Sequence, residues 1–284
     1  MSIRELIINP IGGLANRMRS IASRLSLALD MRIPVSVSWP VNRDLNICYD
    51  KLFCRDSLPC PLVNTNGIVD LFCYDVPRKR NLYLPKAFGV MGDSYSCRLS
   101  DADGLPQFIG DARGLREKVA QVNNVLRIRS GLEYYPFDVC AYRRIFTPVE
   151  SVQRLAASLS DVPSSEMTGL HVRRTDNVES IAKSPLRLFE EVVERQIAID
   201  SSAIFYIASD SDEVKQSLVT RFGSKHFRYS TMKVSRTTAA GMQMALAEML
   251  VLSQCKKIYG SYWSSYSEAA AMLGNVPFEQ LVVQ

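Results

Sequence analysis

Apolar residues near the start of the chain recur every three or four positions, at Leu14, Met18, Ile21, Leu25 and Leu29. This spacing predicts a helix that buries one face and leaves Ser20 and Ser23 on others. Elsewhere, short runs rich in β-branched residues predict buried strands. The predicted strands span residues 5–8, 35–39, 125–129, 169–173, 204–209, 227–229 and 256–260. The later predicted helices span residues 149–159, 186–197, 212–222, 239–253 and 267–273.

Strands and helices alternate along the chain, which is typical of α/β proteins with parallel sheets. A chain of 284 residues suits one large domain or two of about 140 residues. Residues 42–110 have no clear period and are predicted to form loops and short elements, and a polar stretch at residues 158–167 precedes a second strand–helix series. We therefore predict two α/β domains, residues 1–155 and 156–284, that face each other across a central cleft. One continuous sheet is the alternative.

The composition is that of an ordinary globular protein, with 47% hydrophobic and 22% charged residues. The net charge of +5 is small, so no nucleic-acid partner is expected. The sequence has neither a secretory signal pattern nor a run of about 18 apolar residues, and we expect a cytoplasmic protein without a transmembrane segment. The seven cysteines are expected to be reduced, and two histidines are too few for a His-rich zinc site.

The first candidate site follows the first predicted strand. Gly12 and Gly13 allow a tight turn into the helix, and Asn16, Arg17 and Arg19 lie in its first turns. Cations at a helix N-terminus oppose the helix dipole, and a bound anion would reverse this cost. A routine strand–helix turn with solvated arginines is the alternative.

The second candidate site is at the end of the strand predicted at residues 169–173. Side chains alternate along a strand, so His171 and Arg173 share one side, and Arg174 follows where the strand ends. The carboxyl ends of parallel strands are the usual ligand edge, and Asp176 can hold one guanidinium while the other binds phosphate. A structural Arg–Asp bridge beside a buried histidine is the alternative.

The third candidate site is the serine-rich segment after residues 256–260. Ser265 and Glu268 match a capping box, which places a helix N-terminus directly after a strand. The hydroxyls there, with Ser264 beside them, and the free backbone N–H groups can bind a diphosphate. Helix capping alone is the alternative.

A fourth feature is the pair Asp210 and Asp212 after the strand at residues 204–209. An Asp-x-Asp pair suggests a divalent cation beside a diphosphate. The alternative, which we favour, is capping of the next helix by Ser211 with acids in its first turn. Asp101 and Asp103 form a second such pair, which is interpreted as turn chemistry.

Together the segments GGLANRMRS, HVRRTDN, ASD and SYWSSYSEA resemble a fucosyltransferase superfamily. It contains the α1,2-, α1,6- and protein O-fucosyltransferases, including the rhizobial Nod-factor enzyme. The resemblance covers both ends of the chain and leaves residues 42–150 unmatched. It implies a GT-B fold of two Rossmann-like domains, a GDP-fucose donor, inversion at the anomeric carbon and no metal requirement. Residues 1–155 would then lie on the acceptor side and residues 156–284 would bind the nucleotide sugar.

The resemblance also implies roles for individual residues. Arg173 matches the main β-phosphate ligand and is the first candidate catalytic residue. The implied donor-binding residues are His171, Arg173, Arg174, Asp210, Glu248, Ser264 and Ser265. Gly12, Gly13, Asn16 and Arg17 would contact acceptor or phosphate.

Two of the implied roles depart from the family pattern. Glu248 stands where the family usually has Asp, which accepts hydrogen bonds from N1–H and the 2-amino group of guanine. The Lys and Glu that follow the HVRRTD block in the α1,6 enzymes are replaced by Asn177 and Ile181. Glu179 and Asp176 are therefore the candidate catalytic bases.

The prediction from the sequence is an enzyme that transfers fucose, without a metal, to a hydroxyl of a glycan or lipooligosaccharide. Peripheral association with a membrane is compatible with this function. The alternatives are a transferase of another GDP-sugar such as GDP-mannose, a nucleotide-binding protein without catalysis, and an RNA-binding domain, which has only the net charge in its favour.

Overall fold

The computed structural model describes residues 5–63, 96–101, 104–123, 125–175 and 178–283. The chain divides into two compact units, Met1–Thr147 and Pro148–Gln284. The described strands form one five-stranded sheet in each unit, rather than one continuous sheet. Every recorded strand pairing is parallel, as the alternation of strands and helices predicted.

The sheet of the first unit has the strand order β3-β2-β1-β5-β4. Its strands are β1 (Glu5–Pro10), β2 (Val35–Ser38), β3 (Leu62–Val63), β4 (Ser96–Ser100) and β5 (Val125–Ser130). The helices of this unit are α1 (Leu14–Met31), α2 (Ala112–Ala120) and α3 (Val139–Ile145). The central strand β1 precedes α1, so the start of α1 lies at the carboxyl edge of this sheet.

The sheet of the second unit has the order β10-β9-β6-β7-β8. Its strands are β6 (Met167–Val172), β7 (Ile204–Ser209), β8 (Phe227–Arg228), β9 (Lys257–Ser261) and β10 (Phe278–Leu281). The helices are α4 (Glu150–Ala157), α5 (Val178–Lys183), α6 (Leu186–Ile199), α7 (Asp212–Phe222), α8 (Ala239–Leu252) and α9 (Ser265–Gly274). The seven strands predicted from the sequence are all present, with small differences at their ends.

The centre of the second unit is β6, whose six residues are all buried. Leu170 and Val172 pack with Phe189 of α6 in one apolar cluster. On the other face Gly169 allows α8 to approach closely, since a Cβ there would lie 2.8 Å from a methyl carbon of Leu252. Burial on both faces is typical of parallel strands, and in β6 it includes the polar residues Thr168 and His171.

Helix α1 is more deeply buried than the sequence predicted. Ser20, Ser23 and Arg24 are buried although they lie off the predicted apolar face. Ser23 Oγ accepts the backbone N–H of Tyr135 at 2.9 Å, so the segment before α3 covers this second face. Leu29, predicted to be buried, is 68% exposed because it lies in the last turn, near the helix end.

The division between the units falls a few residues before the boundary predicted at residue 155, because α4 packs on α8 of the second unit. The elements that the sequence did not predict are β3, β4, β10, α2, α3 and α5. Within the described ranges no helix combines the length and apolar character needed to cross a lipid bilayer.

The five described cysteines are free thiols. Cys48 and Cys140 are exposed and Cys54 is half-buried. Cys60 and Cys255 are buried, and Cys255, the one cysteine of the second unit, is 1% exposed. The thiols on the surface therefore belong to the first unit.

Candidate functional site

Three strands of the second unit end side by side, because β9, β6 and β7 are neighbours in the parallel sheet. Arg173 and Arg174 follow β6, Asp210 follows β7, and Ser264 lies just before α9, beyond the end of β9. The structure thus brings the second and third candidate sites and Asp210 to one carboxyl edge. This edge is where ligands bind in open α/β sheets.

The backbone of Arg173 is tied to the end of β9. Its N–H donates to Ser261 Oγ at 3.0 Å, and Ser261 Oγ donates in turn to the carbonyl of His171 at 3.3 Å. Ser261 is fully buried. Ser261, the first serine of the serine-rich segment, is not among the site residues predicted from the sequence. Its hydroxyl fixes the start of the loop that carries the half-buried Arg173 side chain.

Asp210 binds the same loop from the β7 side. One carboxylate oxygen accepts the N–H of Arg174 at 2.7 Å, and the other accepts the N–H and hydroxyl of Thr175 at 3.2 and 2.7 Å. Both oxygens therefore hold the chain after β6. Asp210 therefore stabilises the conformation of this loop.

The carboxylates of Asp210 and Asp212 contact different residues. Asp212 contacts the Nζ of Lys215 at 3.2 Å, and Ser211 caps α7 by accepting the N–H of Val214. The capping interpretation of this segment is confirmed. Among the described residues, no three His, Cys, Asp or Glu side chains group as metal ligands would.

The guanidinium of Arg174 donates hydrogen bonds to backbone carbonyls. It donates to the carbonyl of Arg173 at 3.0 Å and to the carbonyl of Ser184 at 2.8 Å. Burial lowers the pKa of this guanidinium and Asp210 opposes the shift. Arg174 thereby ties the loop to the segment between α5 and α6. The predicted contact with Asp176 lies outside the described residues.

His171 is buried and neutral. Its ring lies 4.8 Å from the ring of Tyr266, and its Nδ1 and Ser264 Oγ are 3.3 Å apart in hydrogen-bond contact. Burial first, and the nearby Arg173 second, lower its pKa to about 4. His171 therefore orients Ser264 and adds no positive charge to the site at neutral pH.

The helix after β9 begins one residue earlier than a cap at Ser265 would allow. Ser264 is the N-cap and makes no side-chain cap hydrogen bond, so the capping box of Ser265 and Glu268 is wrong. The reason is tertiary, because the Ser264 hydroxyl faces His171. The first turn of α9 thus presents N–H groups that the N-cap side chain does not satisfy, as an anion-binding helix start does.

Glu248 on α8 is 2% exposed, whereas a typical helix Glu is solvated. Its Oε1 has no hydrogen-bond partner among the described residues, and neither has the hydroxyl of Tyr206. Burial raises the pKa of Glu248 to about 8, and Lys215 partly opposes this rise. An acid with an unsatisfied oxygen inside the unit is suited to bind a donor group of a ligand.

Glu179, one of the candidate bases, lies in the first turn of α5 with its side chain 60% exposed. Its Oε2 is 3.6 Å from Lys183 Nζ, which also donates to the Tyr262 hydroxyl at 3.3 Å. Glu179 is therefore solvated and accessible. Asp176, the other candidate base, lies outside the described residues.

In the first unit, the glycine turn forms as predicted, with Gly12 at a φ of 79° and Gly13 at the N-cap of α1. Arg17, however, is fully buried. It donates to the carbonyl of Gly12 at 2.9 Å and to Asn42 Oδ1 at 2.9 Å, and burial lowers its pKa to about 10. Arg17 holds the turn together, whereas Asn16 beside it is half-buried.

No protein-family model and no curated protein matches the sequence. Solved structures do match its fold. A mutant of Arabidopsis thaliana FUT1 in complex with GDP is 17% identical, with 98% of this chain and 70% of that chain covered and a TM-score of 0.65. The α-1,6-fucosyltransferase NodZ, soaked with GDP-fucose, is 15% identical, with 95% and 92% covered and a TM-score of 0.62.

POFUT1 without ligand is 11% identical, with 99% of this chain and 98% of that chain covered and a TM-score of 0.61. These likenesses extend over nearly the whole chain, including residues for which the sequence motifs gave no match. The chain therefore has the α/β fold of the solved fucosyltransferases, as its motifs predicted.

Proposed function

We propose that this protein is a glycosyltransferase that moves fucose from GDP-fucose to a hydroxyl group of a glycan. The observation that carries the proposal is the convergence of Arg173 and the start of α9 at one sheet edge, through Ser261 and the contact between His171 and Ser264. The fold and the sequence motifs support the same assignment, since NodZ and POFUT1 have been solved with GDP-fucose.

The proposed chemistry is a single displacement at the anomeric carbon. The acceptor oxygen forms a bond to C1 of fucose, the C1–O bond to GDP breaks with its electron pair moving to the phosphate, and the acceptor proton passes to a base. Because the new bond forms opposite the leaving group, the configuration inverts. Negative charge grows on the β-phosphate, and preorganised donors placed there lower the barrier.

Arg173 and the N–H groups of α9 are the proposed donors, and Ser264 and Ser265 lie where their hydroxyls would assist. A cation fixed by the protein takes the role that a metal ion has in other transferases, so we propose that the reaction needs no metal. His171, Arg174 and Asp210 act by positioning, because each holds a backbone segment or a serine of the site.

Glu179 is the proposed base because its carboxylate is exposed in the first turn of α5, the helix that follows the loop after β6. Asp176 is the second candidate. The first unit is proposed to bind the acceptor glycan, with the turn at Gly12 and Gly13 and the side chain of Asn16 as candidate contacts. Glu248 is proposed to bind the guanine base.

The test is Arg173→Ala with Arg187→Ala as the matched control, since Arg187 is an arginine of the same unit paired with Glu191 on α6. We expect Arg173→Ala to lower the rate of fucose transfer about 10²–10³-fold, the cost of removing one such donor. Arg187→Ala should keep the full rate. Transfer is measured by mass spectrometry over an array of GDP-sugars and glycan acceptors.

Equal rates for the two variants would remove Arg173 from the mechanism. Transfer from GDP-mannose alone would change the donor, and GDP binding without any product would make the protein a nucleotide-binding protein. Complete inhibition by EDTA would contradict the metal-free reaction.

A further inference from the structure

Within the described part of the chain, Trp263 is the one aromatic residue that is largely exposed to solvent, at 67% exposure. It lies between Tyr262 and Ser264, at the edge where the nucleotide diphosphate is proposed to bind. A large apolar ring in solvent is costly unless it packs on something. Its position beside the site therefore calls for an explanation.

The backbone holds Trp263 in this exposed position. Its φ of 53° is left-handed, which is rare for a bulky residue. Among the described residues, the other two non-glycine residues with positive φ are Arg32 and Asn275, which are C-caps of helices, where this conformation is common. Trp263 instead precedes a helix, so capping does not account for its conformation.

Buried serines fix the chain on both sides of Trp263. The N–H of Tyr262 donates to Ser184 Oγ at 2.7 Å, and Ser264 is 1% exposed with its hydroxyl 3.3 Å from His171 Nδ1. With both neighbours held, the backbone of Trp263 has little freedom. Strain that the surroundings maintain in this way is typical of ligand sites.

Packing within α9 does not explain the ring either. A residue that precedes the N-cap often packs against the fourth residue of the helix in a hydrophobic staple. That fourth residue is Glu268, which offers no apolar partner of this kind. The ring of Tyr262 is 6.2 Å from that of Trp263, centroid to centroid, and tilted by 59°, so it does not cover the indole.

Charged groups lie beside Tyr262, the aromatic neighbour of Trp263. Lys183 Nζ lies 4.4 Å from the centroid of the Tyr262 ring and 3.6 Å from Glu179 Oε2. A sugar ring has a face of C–H groups and a rim of hydroxyls. The indole of Trp263 next to Tyr262, with an ammonium on the Tyr262 ring and a carboxylate beside that ammonium, matches that combination.

We propose that the indole of Trp263 stacks on a pyranose ring, either the fucose of the donor or a sugar of the acceptor glycan, with Lys183 and Glu179 placed to bind its hydroxyls. This inference deepens the proposed function and rests on it, because it places the sugar next to the diphosphate. Trp263 is then a residue that binds substrate and helps to determine which sugar is accepted.

The test uses tryptophan fluorescence of the full chain. The protein has two tryptophans, and the other one, Trp39, is 8% exposed. The probes are GDP, GDP-fucose, and a panel of cellotriose, maltotriose and chitotriose. We expect GDP-fucose, or one of the trisaccharides, to shift the emission to shorter wavelength more than GDP does, and we expect Trp263→Phe to lose this shift.

A shift with GDP-fucose but not with GDP identifies the donor sugar, and a shift with a trisaccharide identifies the acceptor. No shift beyond that of GDP with any probe would overturn the inference. A blue shift that depends on protein concentration without ligand would also overturn it, because it would indicate contact between copies of the chain.

A second measurement separates this inference from the proposed function. Trp263→Ala should raise the KM of the responding sugar substrate at least tenfold, while the affinity for GDP, measured by calorimetry, stays within twofold of the original. Ile199→Ala, which removes an apolar side chain 82% exposed at the end of α6, is the control and should change neither value. If GDP does not bind the original protein, the proposed function fails, and the trisaccharide arm still tests Trp263.

Discussion

Glu248 is the residue whose environment departs most from what its type leads one to expect. A carboxyl group that is 2% exposed and has an unsatisfied oxygen is costly to ionise, and its pKa rises to about 8. At pH 7 most molecules therefore carry Glu248 in its neutral form. The guanine base that is proposed to bind here offers two N–H donors side by side, which pair with the ionised form.

This residue gives a pH-dependent prediction. Because the proposed binding needs the ionised carboxylate, the affinity for GDP should rise about fivefold between pH 7 and pH 8, rise about twofold more above pH 8, and level off near pH 9. Glu248→Gln should bind GDP more weakly and lose this dependence, since the amide does not titrate. Calorimetry with GDP, and with ADP as the control nucleotide, measures both. An identical pH profile in Glu248→Gln would exclude Glu248 from base recognition.

At the scale of residues, the sequence predicted the position of Arg173 in the fold, directly after β6 at the carboxyl edge of the second sheet. It could not predict that Arg17 is fully buried, because the acceptors that satisfy its guanidinium come from Gly12 and from Asn42 on a later loop. Contacts between distant segments of the chain leave no local pattern.

The loop after β6 is an element whose shape is imposed by its neighbours. Ser261 holds it from β9 and Asp210 holds it from β7 through three hydrogen bonds. Hydrogen bonds to a charged group contribute about 1.5–3 kcal/mol each. The position of Arg173 therefore depends on side chains that do not themselves need to contact a substrate.

This dependence can be measured with Asp210→Asn, which keeps the size of the side chain and loses one acceptor oxygen. We expect GDP affinity and the transfer rate to fall about tenfold or more, the equivalent of one such hydrogen bond. Asp200→Asn is the control, because Asp200 also accepts two hydrogen bonds from a following loop residue, Ser202, away from the site. If the two variants behave alike, Asp210 does not position Arg173.

Elements with a strong period or a β-branched run were predicted closely, and β7 and α7 agree to the residue. The short elements α5 and β10 escaped prediction because a few residues do not establish a period. The N-cap of α9 was predicted at Ser265, one residue after the observed N-cap Ser264. A serine at this position can either cap the helix or contact a buried histidine, as Ser264 does. Only the tertiary structure decides between the two.

For the whole molecule, the comparisons show how far sequences diverge while a fold persists. Identities of 11–17% accompany coverage of 95–99% of this chain. Of the segments that carried the resemblance, those around Arg173, Asp210 and Ser264 lie at the carboxyl edge of the second sheet, and GGLANRMRS forms the turn after β1 and the start of α1 in the first unit. The motifs are thus short segments at the carboxyl ends of strands.

The stability of the molecule should depend on pH through His171. In the unfolded chain this histidine titrates near its ordinary pKa of 6.5, and in the folded protein its pKa is about 4. Between these values the unfolded state binds a proton that the folded state does not, so the free energy of unfolding should decrease by about 3 kcal/mol as the pH falls from 6.5 to 4.

Urea unfolding at several pH values measures this change. His171→Gln should show a smaller loss over the same range, because the amide side chain does not titrate. Equal slopes for the two proteins would show that the burial of His171 does not govern acid sensitivity.

The distribution of the cysteines has a practical consequence. Six of the seven belong to the first unit, and Cys255 of the second is buried against the close contact of β6 with α8, where burial raises its pKa to about 12. A maleimide added to the native protein should therefore label the first unit at Cys48 and Cys140 and leave the second unit unlabelled. Any label found on Cys255 in a tryptic peptide would show that β6 had separated from α8. The rate of Cys255 labelling therefore measures how often the unit that is proposed to bind the nucleotide opens.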